Sequence, residues 1–105
     1  MPLADTVEQK KIQQNLSVKP PSLYKVIYVN DNVTTMEFVM ESLITIFGYD
    51  RDAAHEITMK VHEDGSAVVA VLPYELAEQK GVEVTVLARN NGFPLVVRLE
   101  ASESV

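Results

Sequence analysis

The sequence predicts an α+β domain: a three-stranded antiparallel sheet covered on one face by three helices, in the order β-α-α-β-α-β. Two observations lead there. Short runs rich in β-branched and aromatic residues (LYKVIYV, AVVAVL, PLVVRLE) are separated by longer stretches whose apolar residues recur at helical spacing. Helix start and stop signals stand at the joints between them, and the four glycines are read as breaks.

Residues 1–20 read as a flexible polar arm rich in Gln and Lys that closes at Pro20-Pro21; a short helix around Val7–Leu16 is the alternative. Residues 21–101 make the folded domain and 102–105 a C-terminal tail. The first strand, from Leu23, sets Tyr24, Val26 and Tyr28 against Leu23, Ile27 and Val29. Thr34-x-x-Glu37 reads as a capping box, with the Thr34 hydroxyl taking a first-turn N–H. Met36, Val39, Met40, Leu43, Ile46 and Phe47 follow at helical spacing, and Gly48 stops the helix. Asp50 caps a second helix with Ala54, Ile57 and Val61 on one face, and Gly65 ends it. The run AVVAVL (67–72) is too short and too β-branched for a helix and reads as a buried strand. Pro73 suits the first turn of a third helix over roughly 74–90. Its inward residues are Leu76, Ala77, Val84, Leu87 and Ala88. Asn90-Asn91-Gly92 breaks that helix before the last strand.

Composition narrows the function. The 105 residues suit one globular domain with a core of its own. No apolar run approaches the roughly 18–20 residues of a membrane span, and the first residues lack the basic-then-apolar layout of a secretory signal. Without cysteine there are no disulfides, thiol nucleophiles or cysteine-based zinc sites. The net charge is −6; residues 1–20 hold three lysines against two acidic residues, which leaves −7 on residues 21–105. Such a domain repels phosphate backbones, so nucleic acid is not expected as a partner.

The catalytic inventory is thin. His55 and His62 lie seven residues apart on the second helix, roughly 10 Å along its axis, too far to share a metal. No G-x-S-x-G, H-E-x-x-H or glycine-rich loop occurs. No catalytic residue, metal or cofactor is therefore expected. What remains is the turn Asn30-Asp31-Asn32 together with His62. In the plain reading the three polar residues make an Asx-type turn that feeds a helix, and His62 is a helix-end cation facing the macrodipole. In the functional reading an amide, a carboxylate and an imidazole nitrogen form an acceptor-rich cup, which suits an ammonium group.

The stretches NDNVTTMEFV, KVHEDG and NNGFPLVVRLE, in this order and spacing, resemble the ClpS adaptors, over about residues 20–100. The resemblance implies a non-enzymatic adaptor that binds proteins whose first residue is Phe, Tyr, Trp or Leu. It implies delivery to a Clp AAA+ unfoldase, of ClpA or ClpC type, through that unfoldase's N-terminal domain. By the same resemblance Asn30, Asp31 and His62 hold the substrate's α-amino group, with His62 neutral so that it accepts rather than repels. Asn32, Thr34, Met36, Val39, Thr58, Val61 and Leu95 would form the pocket for the first side chain, Met36 acting against β-branched residues. Glu75, Glu78 and Lys80 on the third helix would contact the unfoldase, a solvated face being the plain alternative. The arm 1–20 would serve delivery. The expected compartment is the bacterial cytosol, with the chloroplast stroma as another home of such proteins.

Two positions depart from the family pattern. Asn32 stands where a second aspartate is usual, and Thr58 where a methionine commonly lines the pocket. They leave open a divergent relative with altered first-residue specificity. A different interaction module of similar fold, such as the C-terminal domain of the ribosomal stalk protein, and a small enzyme using Asp31 and His62 are the other readings.

Overall fold

The computed structural model describes residues 21–102. Six elements follow in the expected order: β1 (Leu23–Val29), α1 (Met36–Thr45), α2 (Arg51–Asp64), β2 (Ser66–Pro73), α3 (Tyr74–Asn90) and β3 (Val96–Ala101). The readings of residues 1–20 as an arm and of 103–105 as tail lie outside the described residues.

β1 is the central strand of a sheet ordered β2-β1-β3, antiparallel to both neighbours. Its alternation sends Val26 and Tyr28, both fully buried, into one core with Val39, Leu43, Ala54, Val61, Val84 and Leu95. Burying a Val- or Leu-sized side chain contributes about 1.5–3 kcal/mol, so this cluster supplies the main drive for folding. Tyr28 brings a hydroxyl into it. The phenol donates to Ser42 Oγ at 2.7 Å, because Ser42 spends its own hydrogen on the Val39 carbonyl, also at 2.7 Å. Burial pushes the Tyr28 pKa far above the ordinary tyrosine value.

Several local expectations are corrected. Thr35, not Thr34, caps α1: its hydroxyl accepts from the Phe38 amide at 3.2 Å, while the Thr34 hydroxyl is engaged by Asp31. The strand 67–72 is not buried throughout, because β2 is an edge strand and the helices cover only one face of the sheet. Val68 and Val71 are exposed and only Val69 is enclosed. The pairing slips between Val26 and Ile27, leaving Val69 without a partner on β1, a bulge that breaks simple alternation. Pro73 closes β2 at the N-cap position of α3 instead of entering the helix.

Leu76 points outward at 39% exposure, since the buried stripe of α3 is Ala77, Gly81, Val84 and Ala88, about 100° further round. Gly81 is thus no break. It sits inside α3, where an added Cβ would already stand 3.6 Å from the Val97 side chain. Small residues let α3 lie close on the sheet. Gly48, Gly65 and Gly92 do end their helices, with φ near +80°.

The Tyr28–Ser42 chain yields a stability prediction. Ser42→Ala leaves a buried phenol without an acceptor and should cost about 1–3 kcal/mol in urea unfolding. A loss below about 0.5 kcal/mol would show that water or another acceptor replaces the serine.

Candidate functional site

β1 ends at Val29, and the chain must then turn to start α1. The Asn30 amide donates to the Gly65 carbonyl at 2.9 Å, which ties the turn to the end of α2. Gly65 adopts the left-handed conformation there, with φ of 85°, and its own amide returns to the Val61 carbonyl. The Asn30–Gly65 bond, next to the pairing of Val29 with Ser66, holds the polar turn beside the last turn of α2, which carries His62.

Asp31 braces the turn from within. Its Oδ1 accepts from the Val33 amide at 2.8 Å and the Thr34 amide at 2.6 Å, and its Oδ2 accepts the Thr34 hydroxyl at 2.7 Å. This is the Asx arrangement of the plain reading, and it does not exhaust the carboxylate. Oδ2 takes only one bond, so a lone pair and the negative charge remain available. Slight burial works against ionisation, but the bonds from Thr34 and Val33 and the nearby Arg89 charge outweigh it, so the Asp31 pKa lies below the ordinary value near 3.8. Arg89 itself donates to the carbonyls of Phe93 and Leu95 at 2.9 and 3.0 Å and pins the segment leading into β3.

The turn, the start of α1 and one face of α2 enclose a cavity of about 280 Å³ lined by Asn30, Asp31, Asn32, Thr34, Met36, Val39, Thr58, Val61 and His62. Its depth is graded. Val39, Thr58 and Val61 are buried at 6%, 2% and 2% exposure and form the floor, whereas Asn30, Asn32, Met36 and His62 are exposed at the rim. Among the described residues, the side chains of Asn30, Asn32 and His62 make no hydrogen bond, so the rim presents unspent polar atoms. Such a cavity can take a ligand with a cationic or donor-rich head and an apolar body.

Nine of the expected binding residues thus meet around one space. Leu95 does not join them. It follows Pro94, is 1% exposed, and packs in the same core cluster as Val39 and Val61. Glu75, Glu78 and Lys80 lie on the outer side of α3. Glu78 accepts from the Tyr74 hydroxyl at 2.7 Å and Lys80 stands 3.9 Å from Glu83. The roles of Thr35 as cap and of Arg89 as clamp were not read from the sequence. A Thr-Thr pair is ambiguous until it is known which hydroxyl the aspartate occupies, and the Arg89 partners are backbone carbonyls that leave no sequence trace. Among the described residues no group of three or more His, Asp or Glu could hold a metal, and no helix is long and apolar enough to cross a membrane.

A small α+β domain of this order, with an acceptor-rimmed cavity at one strand–helix junction, has the form of a binding module. The family model described as "ATP-dependent Clp protease adaptor protein ClpS" matches residues 19–98, and the chain belongs to the ClpS family. It is 45% identical over 84 residues to the Clp protease adapter protein ClpS of Sodalis glossinidius, covering 80% of this chain and 79% of that one. The corresponding adapter of Serratia proteamaculans is 45% identical over 93 residues, covering 89% and 85% of the two chains. The solved structure of Agrobacterium tumefaciens ClpS2 bound to L-phenylalaninamide is similar at a TM-score of 0.76 and 40% identity, covering 79% of this chain and all of that one.

The lowered Asp31 pKa has a defined sign. Stability gained from the ionised carboxylate is present above the unfolded aspartate value of about 3.9 and is lost as pH falls through the lower folded value. Asp31→Asn should cost about 1 kcal/mol at pH 7 through its weaker bonds to Thr34 and Val33. Thermal melts should also show a smaller loss on acidification from pH 5 to pH 2 than in the wild type. Equal acid sensitivity of the two proteins would contradict the bracing role.

Proposed function

We propose that this protein binds the free α-amino group and the large hydrophobic first side chain (Phe, Tyr, Trp or Leu) of substrate proteins. It then hands them to the N-terminal domain of a Clp AAA+ unfoldase for degradation by its partner peptidase, and it catalyses nothing itself. The observation that carries this reading is the joining of an acceptor-rich rim to an apolar floor within one small cavity. A free α-ammonium has a positive charge and three donors, whereas an internal peptide nitrogen has one donor or none. Asn30, the free lone pair of Asp31 and a neutral His62 would accept those three donors, with the charge of Asp31 complementing the ammonium. An internal peptide would leave acceptors unpaired, at about 1–3 kcal/mol each, so the rim discriminates against chain interiors.

The floor supplies the rest. Burying a Leu- or Phe-sized side chain against Val39, Thr58 and Val61 would contribute about 1.5–3 kcal/mol. Met36 at the mouth would guard against β-branched first residues. Agreement comes from the similar A. tumefaciens protein, whose ligand pairs a free amine with a phenylalanine side chain. Delivery would use the outer side of α3 through Glu75, Glu78 and Lys80, with residues 1–20 engaged once docking has occurred. A bacterial cytosol or a chloroplast stroma is the setting in which such delivery takes place.

Fluorescence anisotropy with short peptides tests the binding half. Peptides beginning with free Phe, Tyr, Trp or Leu should bind, and N-acetylation should weaken a Leu peptide at least about a hundredfold, the equivalent of two unpaired acceptors and a lost charge. Equal binding of the acetylated peptide would refute the rim's role. Degradation assays test the other half. Reversing charge at Glu75 and Lys80 together, or deleting residues 1–20, should leave peptide affinity unchanged and slow degradation by the reconstituted protease. Unaltered degradation by both variants would remove these segments from delivery.

A further inference from the structure

We infer that Thr58 makes the floor of the cavity select tyrosine over phenylalanine as the first residue of a bound chain; this inference rests on the binding reading above. Thr58 is the polar side chain of the floor. It is 2% exposed, beside the apolar Val39 and Val61, and deeper than the rim that would hold the amino group. A first side chain seated from the rim therefore brings its far end to Thr58.

The Thr58 hydroxyl has no hydrogen to give. Thr58 Oγ1 donates to the Ala54 carbonyl one helical turn back, at 2.7 Å, and a hydroxyl owns a single hydrogen. Its oxygen keeps acceptor capacity, so what the floor lacks is a donor from the ligand. Thr34, higher in the cavity, is in the same condition, since its hydrogen is committed to Asp31 Oδ2. Both threonine hydroxyls can therefore serve a ligand only as acceptors.

Tyrosine and phenylalanine have nearly the same shape and differ by a hydroxyl at the tip. In a wholly apolar floor the phenol would lose its hydration without return, and phenylalanine would bind better. Against an acceptor-only oxygen the phenol donates a hydrogen bond, and phenylalanine leaves that oxygen bare. The order of affinities therefore inverts, and the inversion belongs to one oxygen atom.

The test uses the full chain and matched peptides that begin with Tyr or Phe, titrated by anisotropy against wild type, Thr58→Val and Thr58→Ser. Valine keeps the shape and removes the oxygen, while serine keeps the hydroxyl. Wild type should bind the Tyr peptide about threefold to tenfold more tightly than the Phe peptide. Thr58→Val should reverse the Tyr-to-Phe order, and Thr58→Ser should restore the preference for Tyr. A Tyr-to-Phe ratio unchanged in Thr58→Val, or a wild type that favours Phe, overturns the role of Thr58 and leaves the binding reading intact. Failure of the wild type to bind either peptide overturns the binding reading and this inference with it.

Discussion

The hydrogen bond from the Asn30 amide to the Gly65 carbonyl is the contact on which the site depends. It joins the end of the central strand to the end of α2, two places 35 residues apart in the chain. It continues the pairing of Val29 with Ser66 by one step and so fixes the polar turn relative to His62. Its existence rests in turn on Gly65, whose left-handed backbone ends α2 and leaves the carbonyl turned toward the strand. The residue type at a helix end thereby decides the geometry of a cavity that the residue does not itself line.

Around that joint the polar groups divide into two kinds. Asp31 and the threonine hydroxyls are committed to the protein: Asp31 holds the turn, Thr35 caps α1, and Thr58 folds back on its own helix. Asn30, Asn32 and His62 are exposed at the rim, and their side chains make no hydrogen bond among the described residues. Rigidity comes from the first set, and the second leaves polar atoms open to a ligand, as does the one lone pair left over on Asp31. The backbone of the rim is held in place before any ligand arrives, while the exposed side chains of Asn30, Asn32 and His62 are ordered on binding. The Tyr28–Ser42–Val39 chain extends the same logic beneath the floor, anchoring α1 to the central strand from inside the core.

α3 plays a different part. Its buried stripe of Ala77, Gly81, Val84 and Ala88 lets it lie close on the sheet, which leaves its longer side chains outside. Its last turn reaches back to the site indirectly. Arg89 pins the carbonyls of Phe93 and Leu95, and its charge favours ionised Asp31. The helix thus offers an outer surface at one end and electrostatic support for the cavity at the other.

The sequence by itself determined the element order, the sheet-and-helix class and most of the helix ends, because periodicity, caps and glycine stops are local signals that survive without coordinates. Motif order and spacing carried the resemblance to the ClpS adaptors, and that resemblance named the nine residues that meet at the cavity. Only the tertiary structure decided which of two adjacent threonines caps α1, because the choice turns on where the Asp31 carboxylate lies. It decided that the valine-rich β2 is half exposed, because an edge position on a sheet covered on one face cannot be read from hydrophobicity. Leu95 was assigned to the core and Gly81 to a helix-sheet approach for the same reason: burial against a partner is a property of the partner's position. Which hydroxyl hydrogens are spent, and so what the floor of the cavity asks of a ligand, is fixed by distances of a few ångströms that no spacing in the chain encodes.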